Sequence, residues 1–342
     1  MIPSWSEYLQ THGAVVLDGV VQHFGDPAAE LAHARDALVL ADLSHYGLIA
    51  LTGEDAQTFL HGQITNDLRG LRDERAVFAG YCSAKGRLLA DFLVFRRADE
   101  LYVMLPRALR ETVQKRLAMF VLRARVRLAD ASDAWVILGL NGVGADALVR
   151  ERYGRVPDAP MDVVQAADGW VVRLGESRFD AFVNPQAAPA LWQSWTGQAR
   201  PVGAPAWDWL TIRAGVPVIL PATQDHFVPQ MVNLEVLGGV SFNKGCYPGQ
   251  EIVARSHYLG KLKRRMYLAH VEAETAAGAE LYSPELPGQS CGLVVNAAPA
   301  PAGGTDVLAV MQVSSHDAGE IHLGSPDGPR LVFQPLPYEL PA

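Results

Sequence analysis

From Lys263 to the C-terminus the chain loses every sign of helical periodicity. Apolar residues recur in short stretches, at 264–272, 279–283, 291–296, 305–313 and 329–335, and Gly and Pro clusters such as 297–304 separate them. Strands at that spacing, cut by turns, predict a small antiparallel barrel. The run Lys261-Leu262-Lys263-Arg264-Arg265 leads into the first strand. Residues 1–258 are therefore expected to form a mixed body of two intertwined subdomains, and 259–342 a C-terminal β-barrel domain.

The body alternates helical and strand patterns. Asp26-Pro27 starts a helix, since an Asp cap accepts from the free N–H groups and Pro suits the first turn. Residues 37–40 and 48–51 read as strands, 77–82 and 88–95 as a hairpin around Ala84-Lys85-Gly86, and 101–105 as a further strand. A helix is expected over 107–120, then a strand carrying Arg123, Arg125 and Arg127 on one solvated face. Three short strands follow over 162–183, with helices at 187–196 and 205–214. Asn141-Gly142-Val143-Gly144-Ala145 imitates a dinucleotide fingerprint, but no acidic residue closes the following strand, so it reads as a tight strand–helix turn.

The 342 residues carry 29 basic and 37 acidic side chains, a formal charge of −8 that disfavours a general nucleic-acid coat. No apolar stretch is long enough for a bilayer, and the N-terminus has no secretory pattern. Three cysteines, Cys82, Cys246 and Cys291, lie far apart with no Cys-x-x-Cys, which points to a reducing, cytoplasmic setting. None of the ten histidines has a recognised metal spacing, so no metal site is expected.

One motif carries chemistry. Lys244-Gly245-Cys246-Tyr247-Pro248-Gly249-Gln250-Glu251 runs directly into Ile252-Val253-Ala254-Arg255. Pro248 suits a first helical position, which would put Cys246 in the positive field of a helix N-terminus beside Lys244, both favouring a reactive thiolate. Glu251 and Arg255 stand four apart and can pair on one helix face. The plainer alternative is a small buried hydrophobe, the commonest fate of a free cysteine.

That motif, with Phe227-Val228-Pro229-Gln230, Asn233-Leu234 and Leu237-Gly238-Gly239-Val240-Ser241-Phe242 before it, resembles the signature of the YgfZ family of folate-binding proteins, and the whole architecture is covered by similar segments. These include Phe59 to Asp67, Cys82 to Gly86, Arg213 to Pro217 and Pro335 to Tyr338. The family is related to the aminomethyltransferase (T-protein) of glycine cleavage, so the resemblance implies an α+β folate-binding body with an attached β-barrel. It implies tetrahydrofolate, or another reduced folate, as cofactor. Its positions place Tyr46, Trp207, Arg213, Asn66 and Asp91 at the folate site and Cys246 as a reactive thiol.

Two departures from T-proteins matter. The first of their paired aspartates, the catalytic carboxylate, is Ala90 here, and Asp91 should point to the opposite strand face. Arg213 stands where T-proteins carry a glutamate, and a guanidinium only donates. The resemblance thus implies a folate-binding protein that supports maturation or repair of iron–sulfur enzymes, among them tRNA-thiolating ones, rather than a stand-alone enzyme. A folate-dependent aminomethyltransferase or related one-carbon transferase, and a non-catalytic adaptor, are the alternatives.

Overall fold

The computed structural model describes residues 1–258 and 262–341, so Lys261 and the expected domain boundary at 258/259 lie at or outside the described residues. The chain falls into two compact units. The first holds Met1–Gln57, Gly70–Val77 and Leu93–Trp207; the second holds Thr58–Arg69, Phe78–Phe92 and Asp208–Ala342. Each unit is thus assembled from separated stretches of sequence.

In the first unit, a six-stranded sheet runs in the order Val163–Ala166, Gly169–Gly175, Arg178–Val183, Val136–Asn141, Val39–Asp42 and Arg200–Val202. All neighbours are antiparallel except the last pair. Strand alternation gives this sheet two different faces. Leu138, Leu140, Phe179, Ala181 and Val183 face a core shared with Trp5 and Leu9 of helix Pro3–Thr11 and with Leu191, Trp192 and Trp195 of helix Ala188–Thr196. The intervening residues Ile137, Gly139, Arg178, Asp180 and Phe182 take the other face. There Phe182 stacks on Trp170 at 4.8 Å between ring centroids, and Phe95 and Tyr102 complete the aromatic cluster. Phe95 and Tyr102 come from a second sheet, in which strand Tyr46–Thr52 lies between Glu100–Pro106 and Arg127–Asp130.

The second unit contains a six-stranded, wholly antiparallel sheet in the order His322–Leu323, Glu280–Tyr282, Ser290–Pro299, Thr305–Gln312, Arg264–Val271 and Val332–Gln334. Ala269, Val271, Leu281, Cys291, Val294, Val307, Ala309 and Met311 fill its concave side. The bridge between His322 and Arg330, just ahead of the last strand, curls the sheet into a half-barrel. The expected antiparallel barrel is present in this form.

Three stretches differ from the sequence reading, and one tight turn agrees with it. Helix Val313–Ala318 interrupts the strand-only region; its six residues are too few to show a period. The 107–120 helix ends at Ala118, and strand Arg127–Asp130 includes only the last of the three arginines, because the chain turns through Leu122 at φ 44°. Helix Gln250–Tyr258 begins two residues after Pro248. The turn at Asn141–Ala145 is what the glycines serve: Gly142 has φ 123°, and a Cβ there would lie 2.5 Å from the carbonyl oxygen of Ala37.

Candidate functional site

In the second unit, the thiol loop is built around a buried cation. Lys244 is 7% exposed. Its Nζ donates to the carbonyl oxygens of His61 and, at 2.5 Å, Ile64, and lies 4.9 Å from the centre of the Tyr247 ring. Burial pulls this ammonium down to about 8, with Asp67 opposing the shift. The segment Phe59–Asp67 that carried part of the family resemblance is therefore the cradle of the motif lysine. Tyr247 is also buried, and burial followed by the neighbouring Cys82 thiol pushes its phenol up.

Between these two anchors, Gly245 and Cys246 are exposed. Of the three free thiols it is the only exposed one: Cys82 is buried, with burial pushing it up to about 12, and Cys291 belongs to the half-barrel core. The small-buried-hydrophobe alternative for Cys246 is thus corrected. So is the expected electrostatics: Pro248 is not a helical residue, the helix starts four residues beyond the thiol, and the Lys244 ammonium is engaged by interior carbonyls.

The reason for the late helix start is Gly249. It takes φ 79°, and a Cβ there would lie 2.5 Å from Gly86 Cα and 2.5 Å from Ser83 oxygen. Gly86, at φ 69°, is itself pressed against Ile252 and Gly249. Only two glycines permit the 83–87 turn and the thiol loop to meet backbone to backbone. Gln250 then opens the helix, its N–H donating to Tyr247 O at 3.2 Å, and Gln230 Nε2 donates to Val253 O at 2.6 Å. Glu251 and Arg255, both exposed, form no ion pair among the described residues, so the expected pairing is not made.

His61 was not singled out from the sequence, and the structure brings it to this loop. Its Nδ1 accepts from the N–H of Leu68 at 3.1 Å, which leaves the ring proton on Nε2 in the neutral form. Nε2 lies 4.0 Å from where a Gly245 Cβ would be. Burial, then Lys244, lowers the imidazole. Asp67 sits 3.5 Å from Nδ1, and Arg69 holds that carboxyl well below the usual range.

The other residues assigned to the folate site divide between the units. In the second unit, Asn66 donates through Nδ2 to Phe78 O at 2.7 Å and Gly238 O at 2.8 Å, so its amide ties main chain together. Asp91 is buried and accepts the Ile219 N–H at 2.6 Å; burial raises it to about 7. Arg213 donates to Gln334 Oε1 and lies 3.7 Å from Asp306 Oδ2. In the first unit, Tyr46 is half-buried against His45 and lines a cavity of only about 10 Å³. Trp207 is fully buried, with its ring edge 2.5 Å from an ideal Gly139 Cβ position and the Arg178 guanidinium 4.4 Å from its centre.

Beside Arg178 the same sheet face presents a group that sequence reasoning missed. Asp180 is 2% exposed and stands opposite Gly139 in the strand register. Its Oδ1 has no hydrogen-bond partner among the described residues, and burial raises the carboxyl to about 7, with Arg178 and His45 opposing. An acid within the apolar run Phe179-Asp180-Ala181-Phe182 was the available signal, because a buried carboxyl without a partner costs several kcal/mol, roughly 1–3 even when neutral. Among the described residues no three His, Cys, Asp or Glu side chains are grouped to hold a metal ion, and no helix is long and apolar enough to cross a membrane.

Comparison with known proteins places this architecture. Residues 7–244 match the GCVT N-terminal domain family. The tRNA-modifying protein YgfZ of Sodalis glossinidius is 32% identical over 322 residues, covering 92% of this chain and 97% of that protein. The protein of the same name from Klebsiella pneumoniae is 35% identical over 244 residues, 70% of this chain and 74% of its own. The crystal structure of glycine cleavage system aminomethyltransferase T from Bartonella henselae superposes with a TM-score of 0.80 at 19% identity, covering 97% of this chain and 96% of the other, which establishes the T-protein fold. The likeness runs almost from end to end in sequence as well as in backbone, and the chain belongs to the YgfZ family of GCVT-domain proteins.

Proposed function

We propose that this protein binds a reduced folate, tetrahydrofolate or a close relative, and supports the maturation or repair of iron–sulfur enzymes in the cytoplasm, thiolating enzymes of tRNA among them. The observation that carries the folate half is Asp180. A pterin presents adjacent N–H donors on its pyrimidine edge, and a buried carboxyl with an unpartnered oxygen is the complement of that edge. Arg178, its guanidinium 4.4 Å from the centre of the Trp207 ring, adds a positive charge on the same sheet face. Asp180 is therefore the pterin anchor of this reading, while Arg213, which stands where T-proteins carry a glutamate, is engaged by Gln334 and Asp306.

The client half rests on the thiol loop. Cys246 is held exposed between two buried anchors, an arrangement suited to presenting a soft sulfur ligand to iron on another protein. His61 supplies an N–H at the edge of the same loop. The names of the curated relatives, tRNA-modifying proteins, agree with thiolated tRNA as the downstream product. Aminomethyl transfer is disfavoured because Ala90, where T-proteins place their catalytic carboxylate, offers only a buried methyl group.

Two measurements test the reading. Calorimetry with tetrahydrofolate at pH 7 in buffers of different ionisation enthalpy should show proton release on binding, because donors from the pterin stabilise the ionised Asp180. Absence of binding sinks the folate half. A Cys246→Ala chain that restores tRNA thiolation to a deletion strain as fully as the parent sinks the thiol's part.

A further inference from the structure

The segment 107–127 runs against the charge of the molecule. A chain of −8 carries here seven Arg or Lys and a single acid, Glu111. At its apex, past helix Arg107–Ala118, the large apolar side chains Met119, Phe120 and Leu122 stand 63%, 42% and 88% exposed. Leu122 is held there in the left-handed region at φ 44°, a conformation that disfavours any residue with a Cβ. Clustered exposure of this kind marks a contact surface.

Beside the apex lies an open groove of about 660 Å³ whose lining is half apolar, Ala118, Val121, Val126 and Leu128, and half polar or charged, the paired Glu111 and Lys115 among it. Several nearby cations are already neutralised: Arg110 by Asp130, Lys115 by Glu111 and Arg125 by Glu54. Arg123 and Arg127 are exposed and have no ion-pair partner among the described residues. A groove with an apolar strip along a polar wall, an apolar prominence and two guanidiniums without an ion-pair partner among the described residues therefore belong to one segment of the first unit.

We propose that this surface docks an acidic amphipathic helix of a partner protein. The groove accepts the helix's apolar ridge, as in other helix-in-groove recognition, and its carboxylates meet Arg123 and Arg127. A concave lining distinguishes this surface from a membrane-inserting tip, which needs only a convex apolar cap. The apex offers one aromatic side chain, Phe120, beside Met119 and Leu122, too small a stacking platform for successive nucleobases, which argues against RNA.

The test uses the full chain and a fluorescent synthetic amphipathic helix bearing Leu on one face and Glu on the other, with a Lys-for-Glu counterpart. Binding to the acidic peptide should be saturable, weaken with salt, and fall about tenfold or more in Leu122→Ser and in the double variant Arg123→Glu with Arg127→Glu. Val15→Ser, at an exposed apolar site elsewhere, should leave it unchanged. The double variant should gain affinity for the Lys peptide. No saturable binding, or equal binding by all variants, overturns the proposal. So does stronger association with phosphatidylserine vesicles or an RNA hairpin that the same substitutions abolish, which would assign the surface to lipid or RNA.

Discussion

Replacing Lys244 by Met should change the pH dependence of stability in a defined direction. In the folded protein the ammonium sits at about 8, below its ordinary value of 10.5. The unfolded chain therefore binds more protons than the folded one between those two values. Stability from this group is lowest below pH 8 and rises as pH climbs towards 10.5. Complete removal of the charge from water would make such a shift worth about 3 kcal/mol; with the ammonium partly screened by solvent, ~1–2 kcal/mol is expected. The assay is urea unfolding of parent and Lys244→Met at half-unit steps from pH 7.5 to about 10, where the difference cancels most other titrations. At pH 7.5 the variant loses two hydrogen bonds to the His61 and Ile64 carbonyls but also the buried charge, so the two proteins should lie within about 2 kcal/mol of each other. The parent should then gain on the variant as pH rises. A flat or falling difference would refute the assignment of Lys244 as a desolvated cation.

Other substitutions probe the same framework. Gly249→Ala and Gly238→Ala both place a methyl on left-handed backbone, but only the first meets neighbours, so Gly238→Ala should cost about 1 kcal/mol and Gly249→Ala about 2–4 in chemical denaturation; equal losses would dismiss the backbone contact. Asp180→Asn should be more stable than the parent at pH 8, by ~2–4 kcal/mol, because the raised carboxyl favours the folded state only while protonated and that advantage fades as pH rises from 3.8 through about 7. The same variant should lose tetrahydrofolate affinity, and retention of both parental properties would remove Asp180 from the site. Alkylation of the native chain followed by peptide mapping should label Cys246 and spare Cys82 and Cys291, and labelling of either buried thiol at a comparable rate would contradict their burial.

How much was legible in the sequence depended on the physics at each place. Helix Ala188–Thr196 and the three strands between Val163 and Val183 were readable because long apolar patterns with clean turn signals leave one choice. The strands Val15–Leu17 and Val20–His23 were not, since three or four residues carry no period. At Pro248 two local rules competed. Proline's preference for a first helical turn lost to the left-handed backbone that close packing imposes on Gly249. The arginine alternation at 123–127 imitated a strand in a segment that turns. For the candidate site, family-like motifs located Lys244 and Cys246, but whether a polar group is left unpartnered is decided by residues distant in sequence, which is why Asp180 and His61 emerged only with coordinates. Arg213 and Asn66 illustrate the converse, side chains whose donors are taken up by the protein itself.

Where Gly86 meets Gly249, main chain of the thiol loop rests on main chain of the 83–87 turn, with Ile252 beside it. Neither glycine can gain a side chain without a simultaneous shift of the opposing loop. Transplanting the eight-residue stretch from Lys244 to Glu251 onto another scaffold should therefore fail unless the 83–87 hairpin travels with it.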